Sequence, residues 1–238
     1  MTVRRGEGRF SGCGAAALAC LLVLAATASC IFGETQQRRF YTLVRPAPTP
    51  ITETAHAGEL WVREVQIASV YDRPQIVFRH SPTELRYFPF ETWADRPQRM
   101  MNQHVVQALR ASGLFQSVLD RLGTSPPTWV LHPNVEAMEQ LDGGDVWYAH
   151  LAMSFRLTRW GEDEVLLEHG FSESRPLNDG DVSLTIRALS EILDEELGRL
   201  MEKIDARLSG REPPPRKRRP SAREAIPAAG GEDPELEV

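Results

Sequence analysis

The sequence has very little cysteine, and all of it lies near the N-terminus. The three cysteines are Cys13, Cys20 and Cys30, so the chain beyond residue 30 can form neither a disulfide framework nor a cysteine-ligated zinc site. An excess of basic residues is also lacking, since 27 Lys and Arg stand against 33 Asp and Glu. Nucleic-acid-binding proteins concentrate positive charge, and we therefore expect no nucleic-acid partner.

The usual signatures of catalysis and of nucleotide binding are missing as well. There is no G-x-S-x-G nucleophile elbow, no P-loop, no G-x-G-x-x-G and no H-E-x-x-H. His150 and His169 can face each other across a predicted hairpin, where we expect a partly solvated pair rather than a metal site. The adjacent acids Glu195 and Glu196 are expected on a solvated helix face. We therefore expect no catalytic residue, no metal and no cofactor, and predict that the protein is not an enzyme.

The first thirty residues have the order of a secretory signal. Basic residues precede an apolar stretch at 15–28, which is shorter than the roughly 20 residues of a bilayer span. The segment 27–30 resembles the bacterial lipobox, in which the cysteine receives diacylglycerol, the signal is cut before it and the new amino group is N-acylated. On this resemblance, residues 1–29 are a signal peptide and Cys30 is the lipidated N-terminus. The alternative is ordinary cleavage near Ala28, which leaves Cys30 unmodified.

The rest of the chain is expected to fall into three parts. Residues 30–58 hold the lipidated cysteine, a short strand at 39–44 and a proline-containing tether. Residues 59–208 form the folded domain, and the proline-rich, charged residues 209–238 form a disordered tail. Ile31 follows the cysteine where enteric inner-membrane lipoproteins carry aspartate, and this resemblance favours the outer membrane.

Hydrophobic periodicity predicts an α+β domain with a mostly antiparallel sheet and two helices packed on one face. The helices are expected at 94–112, capped by Asp95, and at 182–208, capped by Asp179 or Asp181. The predicted strands span residues 59–68, 75–79, 85–88, 114–119, 128–137, 146–160 and 164–174.

Two of these strands and the second helix carry further information. Pro133 predicts that strand 128–137 is bulged or lies at a sheet edge. Strand 146–160 alternates apolar with polar residues, which predicts one buried and one partly polar sheet face. The helix at 182–208 would be roughly 40 Å long, longer than the strands. Part of its apolar stripe is therefore expected to contact a neighbouring subunit in a homo-oligomer.

An ordered set of motifs resembles the ABC-type transport auxiliary lipoprotein family, whose best-known members are similar to the Pqi-system lipoprotein. The motifs are Phe-Tyr-Thr-Leu at 40–43, a strand at 60–67, Tyr-Asp-Arg-Pro-Gln-Ile-Val-Phe-Arg at 71–79 and Trp-Ala-Asp-Arg-Pro at 93–97. The resemblance covers residues 30–208.

The resemblance implies a periplasm-facing, non-catalytic lipoprotein that works with an MCE-domain protein, an inner-membrane permease and an ATPase to move phospholipid between membranes. Acyl chains on Cys30 would hold the domain at the outer membrane, where it docks on the MCE protein. The candidate docking residues are Tyr71, Asp72, Arg73, Pro74 and an exposed Arg79, and the alternative for each is a structural role. The alternative is an outer-membrane lipoprotein that scaffolds or regulates envelope machinery, such as cell-wall synthesis or secretion.

Overall fold

The structure is a computed structural model, and it describes residues 37–44 and 55–211. Within these ranges, nine strands form one mixed sheet and two helices pack on one of its faces. The predicted α+β class is confirmed. The predicted signal peptide, Cys30 and nearly all of the predicted tail lie outside the described residues. No helix in the described part is long and apolar enough to cross a membrane.

The elements largely follow the sequence prediction, with longer strands. The strands are β1 (Arg39–Tyr41), β2 (His56–Val62), β3 (Gln66–Ile67), β4 (Gln75–Ser81), β5 (Glu84–Trp93), β6 (Phe115–Leu119), β7 (Trp129–Asp142), β8 (Trp147–Arg159) and β9 (Val165–Leu177). The helices are α1 (Pro97–Ala111) and α2 (Val182–Leu208). Strand β2 begins before the expected domain start at residue 59, and β1 pairs with β5. The folded part therefore includes the short strand that the sequence places in the tether.

Strand β7 is the centre of the sheet. One of its edges pairs antiparallel with β8, which in turn pairs antiparallel with β9. Its other edge pairs in parallel with β2, β3 and β4. Strand β6 lies beside β2, and β5 lies beside β4. The long pairings are antiparallel as predicted, and most short strands are added in parallel.

Pro133 lies within this central strand and not at an edge. Parallel pairing with β2 ends at Leu131, and pairing with β3 begins at Asn134. Pro133 therefore falls in the gap between the two ladders, where its missing N–H costs no hydrogen bond. A register shift between Val135 and Ala137 supplies the bulge that the sequence predicts.

Helix α2 covers the face of β8 that its alternation predicts to be buried. Leu151 and Phe155 are at most 1% exposed and share a core with Leu193. Each such side chain contributes about 1.5–3 kcal/mol on burial. The apolar stripe of α2 is buried against its own chain as far as Ile204. The expectation that part of this stripe contacts a neighbouring subunit is therefore wrong.

The two helices begin differently. Of the two predicted caps, Asp179 and Asp181, it is Asp181 that caps α2, because its Oδ1 accepts a hydrogen bond from Ser183 N at 2.8 Å. Asp95 does not cap α1, whose N-cap residue is Arg96 with no side-chain hydrogen bond. The Asp95 carboxylate instead accepts from Arg96 N at 2.8 Å and lies 3.4 Å from Arg99.

Candidate functional site

Most of the predicted docking residues lie in a turn between β3 and β4, here called the docking turn (residues 70–74). The turn is closed by Tyr71 N and Asp72 N, which both donate to the carbonyl oxygen of Ala68. Tyr71 is only 4% exposed, because it packs on the sheet face that the helices leave uncovered. The other buried members of this small second core are Val77, Ala137 and Ala152. The docking turn is therefore fixed to the sheet through Tyr71.

Beneath the docking turn, Tyr71 and Arg79 meet a buried carboxylate, Glu139. Arg79 donates from Nε to Glu139 Oε1 at 2.8 Å and from Nη2 to Oε2 at 2.9 Å, which makes a bidentate pair. The Tyr71 hydroxyl donates to Oε2 at 3.0 Å, and His150 Nδ1 lies 3.5 Å from Oε1. We call these four side chains the Glu139 network. Strands β7 and β8 bring Glu139 and His150 together, since the two residues are directly opposite in the register.

The network fixes the charge of Glu139, Arg79 and Tyr71. Burial alone would raise the pKa of Glu139, but the adjacent His150 side chain and hydrogen bonds from Arg79 and Tyr71 outweigh burial and lower that pKa. The hydrogen bond to Glu139 raises the pKa of Arg79. Burial, together with the nearby Glu139 charge, raises the pKa of Tyr71 to about 12. At neutral pH the network therefore holds a carboxylate, a guanidinium and an un-ionised phenol.

This arrangement is suited to holding structure and not to proton transfer. Glu139 is 3% exposed, and both of its oxygens already accept hydrogen bonds. It therefore has no open side toward a substrate. Within the described ranges, no group of three or more His, Cys, Asp or Glu side chains could hold a metal ion. The Glu139 network therefore ties the docking turn and β4 to the central strand, β7.

The sequence predicts an exposed Arg79, and the structure corrects this. The Arg79 side chain is 28% exposed, because β4 runs in parallel beside β7 and carries its guanidinium to Glu139. Glu139 itself is missed by sequence reasoning. No local signal singles it out, because residues 135–141 also contain Glu136 and Gln140, and Glu139 lies beyond the predicted strand 128–137. Only the burial of Glu139 in the folded sheet shows that its carboxylate needs a cationic partner.

The other docking residues also have structural contacts. Asp72 Oδ1 accepts from Gln98 N at 3.5 Å, so it supplies part of the N-terminal cap that α1 lacks on its own. The guanidinium of Arg73 stacks on the ring of Tyr87 at 5.5 Å. The carbonyl oxygen of Pro74 accepts from the backbone N–H of Trp93 at 2.7 Å. Exposed surface in the docking turn comes from Val70, Arg73 and Pro74.

Two expectations about acids and histidines are wrong. His150 and His169 lie on opposite faces of the sheet, since His150 pairs with Ser174 and His169 with Phe155 in the β8–β9 register. Glu196 is not solvated, because the helix turns it inward, where His169 Nε2 lies 3.0 Å from its Oε2. Both side chains are 1% exposed.

The family comparison covers this folded region. The model of the ABC-type transport auxiliary lipoprotein component family matches residues 41–200. The chain belongs to this family. A member of this family is described as a lipoprotein that assists an ABC-type transporter, which agrees with the resemblance seen in the sequence. The matched region contains the docking turn and all four side chains of the Glu139 network.

Two solved structures are similar to this transport auxiliary lipoprotein. The crystal structure of protein XCC0632 from Xanthomonas campestris has a TM-score of 0.62 and 21% identity, covering 72% of this chain and 96% of that one. The crystal structure of an uncharacterized protein has a TM-score of 0.57 and 13% identity, covering 71% and 99%. At these identities the two structures show the fold alone. None of the curated proteins matches the chain significantly.

Proposed function

We propose that this protein is a non-catalytic outer-membrane lipoprotein that docks the MCE assembly of an ABC-type lipid transport system at the outer membrane. The observation that carries the proposal is the family match over residues 41–200, which spans nearly all of the folded domain. The Glu139 network supports a non-catalytic role, because its carboxylate is buried and fully hydrogen-bonded.

The proposed anchor is diacylglycerol and an N-acyl chain on Cys30, at about 0.8 kcal/mol per buried CH2. Strand β1 begins at Arg39, so eight residues separate it from Cys30. Even a fully extended segment of that length spans only about 30 Å. Arg39 is joined to the sheet by its side chain, which donates to Glu91 Oε1 at 2.6 Å. The domain is therefore proposed to lie close to the membrane surface, with a much shorter tether than the sequence suggests.

We propose that the partner contacts the exposed part of the docking turn. Val70 is 40% exposed, and Arg73 and Pro74 are exposed beside it. Arginine and apolar residues are common at the centre of protein interfaces. Tyr71 and Arg79 lie beneath this surface and hold it in place, so they act on docking through the conformation of the turn.

We also propose that several copies of the chain assemble. Among the described residues, the long strand β9 pairs only with β8. Its outer edge can therefore accept a strand from another chain. Arg207 Nε already donates to the carbonyl oxygen of Leu166 on β9, so part of that edge is occupied by α2.

The test is affinity purification of the native lipidated protein in mild detergent, with mass spectrometry of the co-purifying proteins. The expected partners are an MCE-domain protein, a permease and an ATPase, with more than one copy of this chain. Arg73→Glu is expected to reduce recovery of the MCE protein about tenfold. The matched control is Arg187→Glu, an exposed arginine on α2, which should leave recovery unchanged. Recovery of cell-wall synthesis or secretion proteins in place of the transporter would support the scaffold alternative.

A further inference from the structure

A concave groove of about 500 Å³ lies on the uncovered face of the sheet, where β2 ends and β3 begins. Arg63 N donates to a backbone carbonyl of β7 at 2.9 Å and keeps the chain beside that strand across the break. The β7–β8 register places His132 opposite Arg156 and Asn134 opposite Ser154 on the same face. Side chains from three strands and one connecting segment therefore line one recess.

This groove is basic in a protein that is acidic overall. Arg63, His132 and Arg156 line it together with one carboxylate, the exposed Glu64. A second carboxylate, Glu136, borders it and accepts a hydrogen bond from the lining Ser154 at 2.9 Å. The whole chain has a net charge of −6, and most arginines in the described ranges are ion-paired. Arg63 and Arg156 form no ion pair with any carboxylate of residues 37–44 or 55–211, and the carboxylate directly opposite Arg156 in the β8–β9 register is that of the exposed Glu168. We call this recess the basic groove.

The arginines of the groove act on His132. His132 and Arg156 are directly opposite on neighbouring strands, so a protonated His132 would face a like charge, which destabilises a sheet. Burial, together with the charges of Arg63 and Arg156, lowers the pKa of His132. The imidazole therefore stays neutral at neutral pH, and a bound anion would reverse the effect of the two arginines on it.

One arginine, Arg63, and the His132 imidazole are held in place. The guanidinium of Arg63 lies 5.7 Å from the ring centre of Trp61. The Trp61 ring in turn packs edge-on against Trp160, with ring centres 5.8 Å apart. His132 Nε2 lies 3.2 Å from Thr158 Oγ1, which orients the imidazole. Side chains that are pre-oriented in this way lose little rotamer entropy when an anion binds.

We propose that the basic groove is a binding site for a phosphate group carried by a small molecule or a headgroup. Guanidinium groups match phosphate oxygens through bidentate hydrogen bonds. The groove is as large as typical small-molecule sites of about 300–1,000 Å³, so it takes a phosphate ester and not only the bare anion. A divalent cation is disfavoured because two arginines repel it. This inference stands on the groove alone and does not depend on docking to a transporter.

The experiment follows the histidine resonances of the purified full chain in detergent by NMR, while inorganic phosphate or glycerol 3-phosphate is added. The His132 signals, assigned with a His132→Gln variant, should shift, and the pKa of His132 should rise on saturation. Arg63→Gln and Arg156→Gln should each weaken phosphate binding about tenfold, since each removes charge-assisted hydrogen bonds. Both residues are exposed, so the variants should keep the thermal unfolding midpoint of the wild type. Arg187→Gln, an exposed arginine on the helix side, should bind like the wild type.

A second titration with monomeric dihexanoyl phosphatidylglycerol distinguishes the sources of the phosphate. Binding about tenfold tighter than glycerol 3-phosphate would identify a lipid headgroup, and equal or weaker binding a soluble phosphate ester. The proposal is overturned if no phosphate compound shifts the His132 signals. It is also overturned if Arg63→Gln and Arg156→Gln bind phosphate as well as Arg187→Gln does.

Discussion

Replacing Glu139 with alanine is expected to lower the free energy of unfolding by about 3 kcal/mol, because one partner of a buried ion pair is removed. The variant leaves the Arg79 charge without its carboxylate and the Tyr71 hydroxyl without its acceptor. Both side chains lie under the docking turn, so the turn should also loosen. Urea unfolding followed by tryptophan fluorescence measures the change.

The matched control for this prediction is Glu191→Ala. Glu191 also accepts a hydrogen bond from an arginine, Arg175 at 2.7 Å, but its side chain is 52% exposed. Exposed pairs contribute little, and the expected change is within about 0.5 kcal/mol. Equal stability of Glu139→Ala and the wild type at pH 7 would show that the network does not hold the turn.

The Glu139 carboxylate also predicts a pH dependence of stability. The pKa of Glu139 is lowered in the folded state, so its contribution is fully present above the ordinary glutamate value of 4.5. The contribution is lost as the pH falls from that value through the folded pKa. The difference in unfolding free energy between the wild type and Glu139→Gln should therefore shrink below about pH 4.5. A difference that grows on acidification would contradict this assignment.

Replacing Cys30 with serine is expected to release the protein from membranes. Without the thiol there is no site for diacylglycerol, and the described domain has no helix that crosses a bilayer. Fractionation of cells into soluble and membrane material, followed by immunoblotting, measures the result. The wild type should sediment with the membranes, and most of the Cys30→Ser protein should not.

Cys20→Ser is the control for this experiment, since it removes a cysteine from the apolar part of the predicted signal and leaves the lipobox intact. This variant should stay in the membrane fraction. Retention of Cys30→Ser in membranes after a high-salt wash would defeat the anchor assignment, because a salt wash removes proteins held by surface charge alone.

The local elements of this fold are readable from the sequence, whereas the order of the strands is not. Helix α2 and its Asp181 cap follow from a 3.6-residue period and a capping aspartate, both local signals. The buried face of β8 follows from strict alternation. The parallel additions of β2, β3 and β4 to one edge of β7 are long-range pairings that no local pattern encodes.

The sequence identifies only some residues of the candidate site, for the same reason. The motif at 71–79 identifies Tyr71 and Arg79, but their shared partner Glu139 lies 60 residues or more along the chain. Asp72 helps to cap α1 from a different segment of the chain. A prediction from neighbouring residues alone therefore selects Asp95 as the cap. Side chains whose partners are distant in sequence are therefore misjudged as exposed or as local caps.

The central claim is that a folded auxiliary domain is tied to the membrane through Cys30. Mass spectrometry of the N-terminal peptide of the native protein, purified from membranes, tests it most directly. The account predicts a chain that starts at Cys30 and carries diacylglycerol and an N-acyl group. An unmodified N-terminus near Ser29 or Cys30, or a retained leader, would contradict it.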